Sequence, residues 1–130
     1  MPVSFVAFAP DFGLDEKLAL KLGTAFGGGA RNGEMCGAVS GALMVLGLKY
    51  GHFDASDSEQ KSRAYSIAVE YTKRFKAENG SIVCRDLLGY DLSKPEEMAC
   101  IKEKGLFADV CPKAIKSAVE ILESVLAEYE

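Results

Sequence analysis

Four cysteines, Cys36, Cys84, Cys100 and Cys111, are the residues of this chain best suited to chemistry. A thiolate is both a nucleophile and a soft metal ligand, so four of them can serve thiol–disulfide exchange, an iron–sulfur cluster or zinc. Their spacing is wide, with 47, 15 and 10 residues intervening. No Cys-x-x-Cys pair occurs, which argues against a zinc ribbon, a bacterial ferredoxin run and a thioredoxin-type dithiol. The one histidine, His52, follows Gly51 in a polar connection and reads as a solvated residue. No Ser/His/Asp or Cys/His arrangement is legible around it.

The placement of the cysteines relative to helix ends says more than their spacing. The apolar block from Met35 to Leu48 predicts a central helix that begins at Asn32 or Gly33, with Glu34 and Cys36 in its first turn. Cys111 precedes Pro112 and reads as the N-cap of the last helix, and Cys84 stands near the start of a short helix over 82–88. Helix N-termini carry partial positive charge and free N–H groups, which favour thiolate over thiol. Cys100 lies inside its predicted helix and does not share that argument. If the ends converge, the four thiolates can hold a [2Fe–2S] or [4Fe–4S] cluster or a structural zinc; otherwise they are unrelated buried thiols.

Glycines surround the first of these cysteines. Gly37 and Gly41 make a small-x-x-x-small step on one helix face, suited to close packing within a bundle or across a homodimer, or to close backbone approach by a cofactor. Gly27-Gly28-Gly29 ends the preceding helix, and the run to Gly33 could cradle an anion through backbone amides with Arg31 assisting. A helix stop with a structural turn is the simpler reading, and the same loop could instead wrap the Cys36 site. No strand precedes the run and no Gly-Lys-Ser/Thr follows it, so neither a Walker loop nor a dinucleotide fingerprint is supported.

The elements that must position these residues are helical. Val3–Ala9 reads as a short helix ended at Pro10, and 15–25 carries Leu18, Leu22 and Phe26 at helical spacing. Ser56 and Glu59 form a capping box for a helix whose face carries Ala64, Ile67, Ala68, Tyr71 and Phe75, with Tyr65 also read as core, and Asn79-Gly80 stops it. Ser93-Lys94-Pro95-Glu96-Glu97 opens another, ended by Lys102, Lys104 and Gly105. Ile115, Ala118, Val119, Leu122, Val125 and Leu126 give the last helix a core stripe. Strand alternation is nearly absent. The expectation is one all-α domain over 1–130, a bundle of four to five helices with short connecting helices.

Composition narrows the partners. The 130 residues carry a net charge of −4 with no dense Lys/Arg cluster and no tryptophan, which argues against a nucleic-acid surface. The longest apolar run is shorter than the ~20 residues needed to span a bilayer, and the N-terminus lacks the basic start of a secretory signal. A cytoplasmic protein is expected, where thiols more often serve metals or catalysis than disulfides.

The block Phe26-Gly27-Gly28-Gly29…Gly33-Glu34-Met35-Cys36-Gly37-Ala38-Val39-Ser40-Gly41-Ala42…Gly47-Leu48-Lys49-Tyr50-Gly51 resembles the signature of the redox-active C_GCAxxG_C_C family. The later Gly80-Ser81-Ile82-Val83-Cys84-Arg85-Asp86-Leu87-Leu88-Gly89, then Cys100, then Phe107…Cys111-Pro112, follow its general order. Similar domains occur beside or fused to oxidoreductase and haem-protein modules, often in anaerobic prokaryotes. The resemblance implies a helical fold and a cysteine-based redox or iron–sulfur role. Many members carry a further cysteine just before the segment resembling Val3–Phe8, a position this chain starts too late to include.

Together these observations predict a cysteine-ligated iron–sulfur or other metal centre, with Cys36, Cys84, Cys100 and Cys111 as ligands and Gly37 and Gly41 giving close backbone approach. Its partner would be a redox protein or oxidoreductase. Two other readings stand: a metal-free thiol–disulfide protein, in which one low-pKa cysteine attacks and another resolves, and a structural or zinc-stabilised helical interaction module.

Overall fold

A helix that is apolar on all sides must be covered on all sides. The computed structural model describes residues 3–129, and it builds them as α1 (Val3–Phe8), α2 (Glu16–Gly23), α3 (Gly37–Tyr50), α4 (Ser58–Asn79), α5 (Cys84–Leu88), α6 (Pro95–Glu103) and α7 (Leu106–Glu128). The central helix is α3, packed by α1 on one side and by α4 and α7 on others. Ala38, Val39, Ala42, Val45 and Leu46 of α3 are all buried. The fold is all-α, as the sequence predicts. The expected four to five bundle helices resolve into three long ones, α3, α4 and α7, and four short ones. No strand occurs among the described residues; Met35 and Val83 form a single antiparallel bridge.

Two apolar clusters divide the interior. The larger joins Phe5 and Ala9 to α3, to Ile67, Tyr71 and Phe75 of α4 and to Ala118, Leu122 and Val125 of α7. Each large side chain buried there contributes about 1.5–3 kcal/mol. Buried polar groups are satisfied across it: Ser4 Oγ donates to the Ala38 carbonyl at 2.7 Å, and the Tyr71 hydroxyl donates to the Ala118 carbonyl at 2.9 Å. The smaller cluster gathers Cys84, Leu88, Leu92 and Ile101, with Phe107, Val110 and Cys111 against it. Cys36, Cys84 and Cys111 stand where these two clusters meet.

Several expectations are corrected at this level. Helix α2 stops at Gly23, ahead of the glycine run, and it faces α1 with Ala19 and Gly23. Leu18, Leu22 and Phe26 stay exposed, because small residues let α2 lie close to α1 and turn the large ones outward. Tyr65 is exposed, one residue off the buried Ile67–Tyr71–Phe75 stripe. The cap of α4 is Asp57, whose carboxylate accepts from the Gln60 N–H at 3.1 Å, so Ser56 stands one residue outside. Lys94, not Ser93, occupies the N-cap of α6.

Candidate functional site

Cys36 ends an irregular approach to α3. The helix begins at Gly37, later than the sequence predicts, so Cys36 is its N-cap rather than a first-turn residue. Its side chain makes no capping hydrogen bond, while its carbonyl accepts from the Val39 and Ser40 N–H groups at 3.0 Å. Glu34–Cys36 is not helical because it pairs with another segment. The Cys36 N–H donates to the Ile82 carbonyl at 2.7 Å, and the Cys84 N–H donates to the Glu34 carbonyl at 2.5 Å. These two bonds flank the Met35–Val83 bridge and set Cys36 and Cys84 on the same face of it, one residue past the paired positions.

Cys84 then opens α5, close to where the sequence places it. Cys111 departs from expectation. Helix α7 starts at Leu106, directly after Gly105, so Cys111 and Pro112 lie inside it. The extra turn forms because Leu106, Phe107 and Val110 have apolar partners in the smaller cluster, which outweighs the bias against a helical residue before proline.

These three elements close on one cavity of about 240 Å³, lined by Cys36, Cys84 and Cys111 with Gly28, Arg31, Gly37, Ala38, Phe107 and Ile115. Cys100 is half-buried on α6 and is not among the lining residues. All four cysteines are free thiols. Gly37 lines the cavity, and a Cβ there would stand 3.1 Å from the Phe26 carbonyl oxygen. Gly41 is buried one turn further along α3 and does not line it. His52 is exposed in the connection between α3 and α4, as expected.

The cavity disfavours thiolate at Cys84 and Cys111. Burial, then the neighbouring Cys36 and Cys111, push the Cys84 thiol up to about 11, with Arg31 acting the other way. Burial and Cys36 also raise Cys111. Helix N-termini therefore do not decide these two thiols: α5 is only five residues long and Cys111 is not at an end. Burial also holds the Tyr71 phenol above its ordinary range, with Cys36 adding to the effect. Among the described residues, no three His, Cys, Asp or Glu side chains converge as a closed single-ion site would require.

The glycine loop lines the same cavity as Cys36, and what sequence reasoning missed is its hand. Gly28, Gly29, Ala30 and Arg31 all have positive φ, at 66°, 64°, 57° and 64°. Four consecutive residues thus make a left-handed turn, which costs a residue bearing Cβ roughly 1–2 kcal/mol. Glycine suits the first two places. A Cβ on Gly29 would overlap the backbone of Glu34, and one on Gly28 would press against Leu92 and stand 3.1 Å from the Arg31 guanidinium. Ala30 and Arg31 have no such exemption. The turn is tied off where the Glu34 N–H donates to the Gly29 carbonyl at 3.1 Å and Asn32 Nδ2 donates to the Ala30 carbonyl at 2.8 Å. The glycine run was the available signal, but it could not show that two non-glycine residues continue the turn.

The family model described as "Putative redox-active protein (C_GCAxxG_C_C)" matches residues 2–125 of the chain. No curated protein and no solved structure matches it.

Proposed function

The chain belongs to the C_GCAxxG_C_C family, and from that premise we propose that the Cys36–Cys84–Cys111 cavity is its redox centre, holding an iron–sulfur cluster that exchanges electrons with a partner oxidoreductase. The observation that carries this reading is that three cysteines, from three separate elements, line one cavity. The donor type fits the group, with three thiols in the cavity where such clusters ordinarily take four. Thiolates are the ordinary ligands of iron–sulfur clusters, and burial resists thiolate charge at Cys84 unless a cation neutralises it. The thiols are spread around a cavity of about 240 Å³ rather than drawn to a point, which suits a multi-atom core better than one zinc ion.

When bound, such a cluster supplies one-electron chemistry. The chain's own residues supply the rest. The Met35–Val83 bridge fixes the backbones of Cys36 and Cys84, and α7 brings Cys111 to them. Phe107, Ile115 and Ala38 give the cavity an apolar lining, and Gly37 leaves room for the cavity wall to close against Phe26. Cys100 stands apart, so this reading rests on three thiolates.

The test is metal and sulfide content with the visible absorption spectrum of anaerobically purified protein, beside Cys36→Ser, Cys84→Ser and Cys111→Ser. Iron and sulfide with a charge-transfer band, lost in each variant, supports the reading. Four titratable thiols with no iron would overturn it and bring thiol–disulfide exchange forward.

A further inference from the structure

The left-handed turn at Gly28–Arg31 is a costly way to build a connection, and its product is the position of one side chain. Arg31 follows three residues of matching hand, and its guanidinium lies back over Gly28 at the edge of the cysteine cavity. Among the described residues that line this cavity, Arg31 is the only one with a permanent charge. It is exposed, and no hydrogen bond or ion pair of its guanidinium occurs among the described residues.

The acidic groups around the loop are engaged elsewhere. Glu34 pairs with Arg85 at 2.8 Å, and Asp91 accepts from the Ser93 N–H and hydroxyl at 2.9 and 2.6 Å. The guanidinium therefore has no ion-pair partner among the described residues, and at Cys84 its charge is opposed by the more weakly acting Asp91. A cation at the edge of a largely apolar cavity focuses its field inward and raises the local concentration of anions. Strain that persists in a folded protein without a packing reason is itself grounds for a functional hypothesis.

We propose that the cysteine cavity is an anion-accepting site whose recognition residue is Arg31, so that the small species admitted to Cys36, Cys84 and Cys111 carry negative charge. A carboxylate or an anionic sulfur species satisfies this description. The inference needs the three thiols to be reachable from the cavity, but it does not need iron to be bound.

The experiment uses metal-free, reduced protein at one fixed pH. Iodoacetate and iodoacetamide compete for each thiol, and the modified peptides are counted by mass spectrometry. Each thiolate displaces iodide to form a sulfur–carbon bond, so the thiolate fraction cancels from the ratio of the two products. What remains is the field felt by the charged reagent.

The anionic-to-neutral ratio at Cys36, Cys84 and Cys111 should fall about threefold or more in Arg31→Gln and be largely kept in Arg31→Lys. Cys100, outside the cavity, should not change. Added salt should lower the ratio at the three cavity positions of the unaltered chain, which tests the idea without any substitution. Arg31→Gly should lower the ratio while raising thermal stability, because it removes both the charge and the left-handed strain. An unchanged ratio in Arg31→Gln, or an equal fall at Cys100, overturns the proposal. Absence of iron from the unaltered protein would end the cluster reading and leave this ratio intact; an unchanged ratio would leave the iron content intact.

Discussion

The backbone N–H groups of Cys36 and Cys84 donate across the same bridge in opposite directions, at 2.7 Å to Ile82 and 2.5 Å to Glu34. Two cysteines distant in sequence are thereby fixed by main-chain bonds, independently of what their sulfurs do. Diagonal positions on one face of such a bridge have Cα atoms about 7–8 Å apart, whereas disulfide Cα separations are usually below about 6.8 Å. The arrangement presents two sulfurs to a shared guest more readily than to each other.

Gly29→Ala should damage this relationship first. A Cβ there would overlap the backbone of Glu34, whose carbonyl holds the Cys84 N–H. A loss of about 2–4 kcal/mol is expected. Native-state hydrogen exchange should show the Cys36 and Cys84 amides losing protection well before those of Tyr71 and Phe75. Equal loss throughout would mean that the bridge is not a separate local unit.

Cys100→Ser should retain iron and sulfide at the level of the unaltered chain, since Cys100 is not among the residues lining the cavity. Elemental analysis after anaerobic purification decides it. If this variant is as empty as Cys84→Ser, Cys100 is a ligand, and α6 must sit closer to the cavity in the loaded protein.

Alkaline pH should destabilise the metal-free fold through Cys84. Its folded thiol is raised to about 11, above the ordinary value of about 8.5 for an unfolded cysteine. Between those values the unfolded chain has released the proton that the folded chain keeps. Stability is therefore fully present below the lower value and falls as pH rises through the window. Urea midpoints across that range should decline less steeply in Cys84→Ala. Identical slopes would show that other groups govern the loss.

Ala30→Gly offers the converse case, a surface change that strengthens the fold. The residue is exposed and holds φ 57°, so glycine removes a left-handed penalty. After allowance for glycine's greater freedom when unfolded, a gain of about 0.5–1 kcal/mol is expected. Chemical denaturation measures it. A loss of stability would mean that the turn is unstrained.

The helical architecture was legible because its signals are local. The stripe through Ile67, Tyr71 and Phe75, the glycine after Asn79 and the apolar block of α3 each act within a few turns of chain. The site was legible in its members and not in its assembly. Cys36, Cys84 and Cys111 can be picked out by residue type, but what joins Cys36 to Cys84 is a bridge between segments with no strand pattern of their own. Cys111 reads as a cap because proline is a strong local signal, whereas Leu106, Phe107 and Val110 join the helix for partners on α5 and α6. Leu18 and Leu22 look like a core face until Ala19 and Gly23 are seen to face α1 instead.

The isolated bridge also fixes when in the life of the chain the cavity can exist. Closing a loop from Cys36 to Cys84 costs about 3 kcal/mol of chain entropy, and one bridge of two hydrogen bonds cannot repay that alone. Ala118, Leu122 and Val125 of α7 must also be in place for the larger core to form around α3. The last wall, Cys111, belongs to that same helix. A ribosome must therefore release most of the chain before the three thiols meet, and until then each is a separate, solvent-exposed cysteine.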